Sequence, residues 1–112
     1  MNAPNEMTSD TLAAFASDDS DAPDQAAMFL KSLAHRDRLK VLCCLLDREL
    51  SVAAIEEQVG ASQSAVSQHL ARVKDQGIVS ARREGRRIYY SISDPTVRSM
   101  IELLYARFCA PE

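Results

Sequence analysis

The sequence predicts a winged helix-turn-helix: a mostly α-helical fold that carries a small β-hairpin wing. Two stretches with apolar residues at helical spacing lie within residues 51–77, and a short turn at Gly60–Ser62 separates them, as in a helix-turn-helix. After Gly77 the apolar period changes from about 3.6 residues to 2. Residues 78–92 therefore indicate a hairpin that follows the second helix of the pair.

This second helix has one apolar face and one polar face. Ser62 is suited to cap its start, and Gly77 is suited to end it. An apolar stripe at i, i+4 and i+7 is expected to face the core; it consists of Val66, Leu70 and Val73. The opposite face is short and almost uncharged, as a helix that enters the major groove requires. It comprises Ser64, Ser67, Gln68 and Ala71.

Positive charge collects near this helix and the hairpin. The 112 residues carry a net charge of −3, but residues 1–24 hold six of the 16 acidic residues and no Lys or Arg. The rest of the chain therefore has ten acidic against 13 basic residues. Local sign matters more than the total for contact with phosphates. The clustered cations are Arg72, Lys74, Arg82, Arg83, Arg86 and Arg87.

The hairpin is expected to form a cationic wing. Its predicted strands are Ile78–Arg83 and Arg86–Ile92, with Glu84–Gly85 at the tip. Arginines around a tight tip suit a phosphate backbone or a narrow minor groove. Alternate residues of the second strand should face the core; these are Ile88, Tyr90 and Ile92.

Three further helices complete the predicted domain. The first runs from Pro23 to Ala34, the second ends at about Asp47, and the last starts at Asp94. The last helix carries more apolar surface than so small a fold can bury alone, on a stripe formed by Val97, Ile101, Leu104 and Phe108. We therefore predict a homodimer through the first and last helices. Its two recognition helices would lie ~34 Å apart over a pseudo-palindromic operator.

Composition limits the other possibilities. Residues 1–22 are expected to be an acidic, disordered tail with at most a helical turn at Leu12–Phe15, and residues 23–112 a single DNA-binding and dimerisation domain. No apolar run suits a membrane helix and no signal-peptide pattern opens the chain, so we expect a cytoplasmic protein with reduced thiols and no membrane partner. The absence of a C-x-x-C motif or a catalytic constellation predicts no enzyme and no cofactor.

Three segments together resemble the ArsR family of winged-helix repressors: LKSLAHRDRLKVLCCLL, SQSAVSQHLARVKDQGIV and REGRRIYYSISD. The likeness spans roughly Gln25 to Cys109. It implies a homodimeric bacterial repressor that binds double-stranded operator DNA and releases it when an inducer binds or modifies the protein. The residues at the family's operator-reading positions are Ser62, Gln63, Ser64, Ser67 and Gln68. Cations predicted to join them are Arg72 in the recognition helix and Arg83, Arg86 and Arg87 in the wing.

The metal-sensing patterns of that family are missing. The third helix begins in a segment without thiols, residues 49–54, and the last helix has no histidine. The two histidines of the chain, His35 and His69, are expected to lie far apart, and we interpret His69 as a packing or phosphate-contacting residue. Because a tight zinc site needs about four nitrogen or sulfur ligands, we predict no metal site.

The thiols indicate a different inducer. Cys43 and Cys109 lie in contexts that resemble the sulfide- and persulfide-responsive, SqrR- and BigR-like branch of the family. That resemblance implies that reactive sulfur species crosslink the pair, with Cys44 as a possible participant, and so control genes of sulfide oxidation or detoxification. Three alternatives stay open: buried thiols that act as small hydrophobes, sensing of a metal, a metalloid or general oxidants through the thiols, and a helix-turn-helix used only for protein contacts.

Overall fold

The chain forms six helices and a three-stranded antiparallel sheet in the computed structural model, which describes residues 8–17 and 19–109. These residues fall into two units, divided between Lys31 and Ser32, and each is described by itself. In chain order the elements are α1 (Ser9–Ala16), α2 (Ala22–Leu33), α3 (Arg36–Cys44), β1 (Leu50–Ser51), α4 (Val52–Val59), α5 (Gln63–Asp75), β2 (Val79–Glu84), β3 (Arg87–Ile92) and α6 (Pro95–Phe108).

The first unit contains α1 and most of α2. The turn expected at Leu12–Phe15 is part of a longer helix, because the Thr8 hydroxyl accepts a hydrogen bond of 3.2 Å from the Thr11 amide and caps its start. An N-cap of this kind satisfies one of the free amides of the first turn. Residues 1–7, 18 and 110–112 lie outside the described residues, so the disordered tail over 1–22 and the domain over 23–112 stay predictions.

The second unit is the winged helix-turn-helix that the sequence predicts. Helix α5 packs against both α3 and α4, and the apolar stripe Val66, Leu70 and Val73 is buried as expected. Ser51 caps α4, and Gly60 ends it with a left-handed φ of 72°. Other side chains with almost no exposure complete the core: Val41, Leu42, Leu45, Ile55, Ile78, Val97 and Ile101.

Helix α3 is shorter than the sequence predicts, since it ends at Cys44 instead of continuing to about Asp47. Asp47 has a positive φ of 66°, which takes the chain out of the helix. The Arg48 side chain also occupies the freed Cys44 carbonyl, with its Nε donating over 2.8 Å. A basic side chain that binds the last carbonyls is a common helix stop.

The sheet has the order β1-β3-β2, and its short first strand has no counterpart in the predicted fold. Leu50 and Ser51 pair with Tyr90 and Tyr89. Glu84 pairs with Arg87, so the hairpin turn is Gly85–Arg86, one residue later than predicted. Gly85 has a φ of 63°, a conformation that glycine supplies at the first central position of such turns.

The strand alternation predicted for β3 is weak. Its inward residues are half-buried, but so are its neighbours, and together these are Ile88, Tyr89, Tyr90, Ser91 and Ile92. Because β3 is the central strand, between β1 and β2, the neighbouring strands partly cover side chains on both of its faces. None of the helices in the described ranges has the length and apolar character that crossing a membrane requires.

The buried stripe of α5 should dominate the stability of the second unit. We expect Leu70→Ala to lower the free energy of unfolding by about 2–5 kcal/mol, because it removes a fully buried side chain and leaves a cavity. Urea unfolding at matched protein concentration measures this loss. Ser80→Ala on the exposed side of β2 serves as the control and should change stability by less than about 0.5 kcal/mol. Equal losses for the two variants would contradict the assigned core.

Candidate DNA interface and thiol site

The outward face of α5 is exposed along its N-terminal half. Ser62 caps the helix, and its hydroxyl accepts a hydrogen bond of 3.2 Å from the Ala65 amide. The exposed N-terminus leaves backbone amides directed at an approaching anion, which suits a DNA phosphate. Beyond it lie the exposed side chains that the sequence predicts for DNA contact, namely Gln63, Ser64, Ser67, Gln68 and Arg72.

The cations of the wing divide into two kinds. Arg83, Arg86 and Arg87 are exposed, and no carboxylate of the described residues lies within 4.0 Å of them. Arg82 is instead held by Glu49, with contacts of 2.9 and 3.0 Å, and by Glu84 at 3.1 Å. The first three are free to meet phosphate, whereas Arg82 is already neutralised by carboxylates.

Arg82 and Glu49 stabilise each other's charged forms. The hydrogen bond from Arg82 lowers the pKa of Glu49, and those carboxylates raise the pKa of Arg82. The guanidinium also lies 5.1 Å from the centre of the Tyr89 ring, in the range of a cation–π contact. Because Glu49 directly precedes β1, this network ties the wing to the segment before α4.

Two of the three thiols line one apolar cavity between α3 and α6. The cavity has a volume of about 290 Å³, and Cys43 and Cys109 share its wall with Leu39, Ile101, Leu104, Tyr105 and Phe108. Burial raises the pKa of the Cys43 thiol, and the nearby Cys109 raises it further. The structure therefore brings together the two cysteines that the sequence predicts to act as a pair, both as free thiols.

Cys44, the third thiol, does not line that cavity. Its thiol donates to the Val41 carbonyl over 3.1 Å, and burial raises its pKa while the Arg48 charge acts in the opposite direction. A wider groove nevertheless reaches all three thiols, and basic side chains line part of it: Arg36, Lys40 and Arg48. Cys44 is thus near the pair but engaged with its own helix.

The prediction that the two histidines lie far apart is wrong. The rings of His35 and His69 are 4.6 Å apart between centres, and Asp37 lies 4.0 Å from Nε2 of His69. His35 caps α3 and His69 lies on α5, and packing of these two helices brings together residues remote in sequence. Sequence spacing gave no signal for this, because only the orientation of one helix on the other decides it.

This cluster has ligand atoms within 4.8 Å of one another on His35, Asp37 and His69, but its hydrogen bonds disfavour a metal ion. The Asp37 amide donates to Nδ1 of His35 over 3.1 Å, and Nε of Arg38 donates to Nδ1 of His69 over 3.3 Å. A histidine that binds a metal through Nε2 normally donates from its other nitrogen. Here both Nδ1 atoms accept, so each neutral ring carries its proton on Nε2.

A polar recognition helix beside a cationic wing defines a DNA-binding protein of the winged-helix class. Residues 35–81 match the family described as "Bacterial regulatory protein, arsR family". The chain is also 44% identical over 85 residues to the transcriptional activator HlyU of Vibrio cholerae, which covers 76% of this chain and 79% of that protein.

Solved structures agree with this assignment. The transcriptional repressor BigR from Xylella fastidiosa superposes with a TM-score of 0.78 at 32% identity, over 94% of this chain and 100% of that one. Reduced HlyU from Vibrio cholerae superposes with a TM-score of 0.75 at 42% identity, over 80% of this chain and 94% of that one. The chain belongs to the arsR family of bacterial regulatory proteins, and it is a transcriptional regulator, not an enzyme.

The free arginines of the wing should bind phosphate without regard to sequence. We expect Arg86→Ala to weaken binding to a mixed-sequence duplex and to make the plot of log affinity against log salt shallower by about 1 for each bound protomer, because each protomer loses one counterion-releasing contact. Fluorescence anisotropy across a salt series measures the slope. Arg107→Ala on α6 is a matched control that should leave it unchanged, and an unchanged slope for Arg86→Ala would remove the wing from the interface.

Proposed function

We propose that this protein is a homodimeric, dithiol redox-sensing repressor. It binds a pseudo-palindromic operator while reduced and releases it when a persulfide or polysulfide crosslinks Cys43 and Cys109, so that genes for sulfide oxidation or detoxification are expressed. The observation that carries the proposal is the shared cavity: the two thiols line one wall between α3 and α6. The α3 side of that wall belongs to the helix that packs on the recognition helix.

Support for operator reading comes from the exposed face of α5. Its side chains are small hydroxyls and amides, which can approach base edges closely and hydrogen-bond to them. The proposed DNA-contacting set is Ser62, Gln63, Ser64, Ser67, Gln68, Arg72, Arg83, Arg86 and Arg87. The polar residues of the helix would read bases, and the arginines would hold phosphates and set the register of the protein on the duplex.

Support for the homodimer comes from α6. Only Val97 and Ile101 of this helix are buried, whereas Leu104, Tyr105 and Phe108, on the same side of the helix, are 39%, 52% and 71% exposed. A contiguous apolar face of this kind usually marks a protein interface. A second copy of the chain is the proposed occupant, because a two-fold dimer would also place two recognition helices on one side of the DNA.

The proposed chemistry transfers sulfur to one thiol and closes the bridge with the other. The Cys43 thiolate attacks the outer sulfur of a persulfide RSSH, giving Cys43–SSH and RSH. The Cys109 thiolate then attacks the inner sulfur, which forms a disulfide and releases H₂S. If Cys43–SSH first takes a second sulfur from another RSSH, attack by Cys109 leaves a three-sulfur bridge and again releases H₂S. A bridge with extra sulfur spans more than the 4.4–6.8 Å between Cα atoms that a disulfide requires.

The bridge would act on DNA through helix packing. It would fix α6, the proposed dimer helix, to α3, which contacts both α4 and α5. Any change in the angle or spacing between the two recognition helices then lowers affinity for an operator with fixed half-site spacing. A difference of 1.4 kcal/mol between the two states is enough for a tenfold change in affinity.

A second candidate is a general thiol switch that also responds to peroxide, a metal or a metalloid. The groove that reaches all three thiols favours it, since Cys44 could join the pair. The solved Vibrio cholerae relative is described as reduced HlyU, which fits a redox-active regulator of either kind. A helix-turn-helix that contacts only proteins is a third candidate, and it would show no steep salt dependence with duplex DNA.

Base reading is tested with an operator selected from a random-sequence duplex pool. We expect Gln68→Ala and Ser64→Ala to weaken binding to the selected duplex by about 1–3 kcal/mol, because hydrogen bonds to base edges are lost. Binding to a scrambled duplex of the same composition should change much less. An equal loss on both duplexes would refute direct reading by these side chains.

Sensing is tested with single thiol variants under anaerobic conditions. We expect Cys43→Ser and Cys109→Ser to bind the selected operator normally but to keep it after treatment with glutathione persulfide, because neither can close a bridge. Cys44→Ser is the matched control and should still release the DNA. Anisotropy reports release, and mass spectrometry of the Cys43–Cys109 peptides reports the sulfur count.

The control reagent in that experiment is hydrogen peroxide. A bridge with extra sulfur that forms only with persulfide supports a sulfane-sulfur sensor, whereas a plain disulfide with both reagents supports the general thiol switch. Release of DNA by either the Cys43→Ser or the Cys109→Ser variant would exclude the two-thiol mechanism.

A further inference from the structure

A polar junction joins the start of α3 to the recognition helix. The ring of His69, on α5, contacts the ring of His35 in a tilted arrangement with centres 4.6 Å apart, and it accepts a hydrogen bond from Nε of Arg38. The same guanidinium donates from Nη1 to the Ser32 carbonyl over 3.3 Å. These polar contacts hold His69, which is not part of the buried apolar stripe of α5. The side chain of His69 is only 13% exposed, so water competes little for these contacts.

We propose that this junction positions the recognition helix only while the imidazole of His69 is neutral, so that affinity for the operator falls in mildly acidic solution. The inference rests on the proposed contact of α5 with DNA and is independent of the thiols. His35, Arg38 and His69 are positioning residues in this proposal, and none of them needs to touch DNA.

The hydrogen bonds explain why a proton breaks the junction. Nδ1 of His35 accepts from the Asp37 amide, and Nδ1 of His69 accepts from Arg38. The neutral ring of His69 already carries hydrogen on Nε2, so an added proton must go to Nδ1. A protonated Nδ1 is a donor facing another donor. Protonation of His69 therefore removes its hydrogen bond to Arg38.

Burial and most of the surrounding charges lower the pKa of His69. The groups that act on His69 are His35, Arg38 and Asp37, all at the start of α3. Burial lowers the pKa of His69 below 6.5, the charges of His35 and Arg38 lower it further, and only Asp37 opposes them. The fold thus favours the neutral ring. The stabilisation that the neutral ring of His69 provides is fully present above about pH 6.5, the ordinary pKa of histidine. It is lost as the pH falls through the lower pKa that His69 has in the folded protein.

The small number of histidines makes the pH dependence of DNA binding a direct report on this junction. The chain has two histidines in all, and both belong to the junction. Histidine is the side chain whose ordinary titration falls between about pH 5 and 8. A change in DNA binding within that range therefore reports on this junction more directly than it would in a histidine-rich protein.

The test compares specific and non-specific affinity of the full chain at about pH 7.5 and about pH 5.5. The probes are the duplex selected at the higher pH and its scrambled counterpart. We expect the ratio of specific to scrambled affinity to fall about fivefold to tenfold on acidification, the lower end of the couplings typical between linked sites. Circular dichroism at both values checks that the helices remain folded.

Asparagine provides the matched variants, because its side-chain oxygen can replace Nδ1 as acceptor but takes up no proton in this range. The double variant His35→Asn, His69→Asn should retain most specific affinity at neutral pH and lose the pH dependence. Asparagine is also a favoured helix cap, so α3 keeps its start. If the double variant does not fold, Arg38→Gln gives the second test: it should lower the specific ratio at neutral pH and flatten the profile.

Several outcomes would overturn the proposal. One is tighter specific binding at acidic pH, which would mean that an imidazolium contacts phosphate directly. Another is an unchanged ratio in the natural chain, and a third is a pH dependence that survives in the double asparagine variant. Failure of the natural chain to select any duplex at neutral pH would instead contradict the proposed function, so the two failures are distinguishable.

Discussion

Burial of the apolar stripe of α5 against α3 and α4 is the interaction on which the rest of the second unit depends. An α-helix turns 100° per residue, so fixing Val66, Leu70 and Val73 in the core fixes the direction of every other side chain on the helix. Ser64 and Gln68 are thereby left exposed, on the face proposed to read bases. His69 is directed at the start of α3. One packing contact therefore sets both the proposed reading face and the junction.

Helix α3 is where the proposed inputs meet. Its first turn carries the histidine cap and Arg38, and Cys43, near its end, faces α6 across the apolar cavity. Both sites lie on one helix that packs on α5. A proton at one end and a sulfur bridge at the other would therefore disturb the same contact with the recognition helix. Well-packed interfaces shift between discrete arrangements more readily than they deform, so small local changes can reach the DNA.

Much of the local structure was determined by the sequence itself. Ser62 caps its helix as predicted, and Ser51 and Asp94 cap theirs. The winged helix-turn-helix class follows from apolar spacing, and the family from the resemblance of three short segments. These features are local in origin, because a cap or a stripe needs only neighbours within a few residues. The same reasoning missed β1 and placed the hairpin tip one residue early. Strand pairing between Leu50 and Tyr90 is a distant contact that no local pattern encodes.

Tertiary structure alone decided which polar groups meet. The arginine cluster read from the sequence contains Arg82, but the fold commits it to Glu49, 33 positions away. Likewise His35 and His69 are far apart in the sequence, and the packing of α3 on α5 brings their rings into a tilted contact. Helix spacing cannot supply such pairs, because they depend on the relative rotation of whole elements, which the summed burial of the core fixes. The sequence therefore determined the elements and their faces, and only the packed structure determined the charge network and the histidine junction.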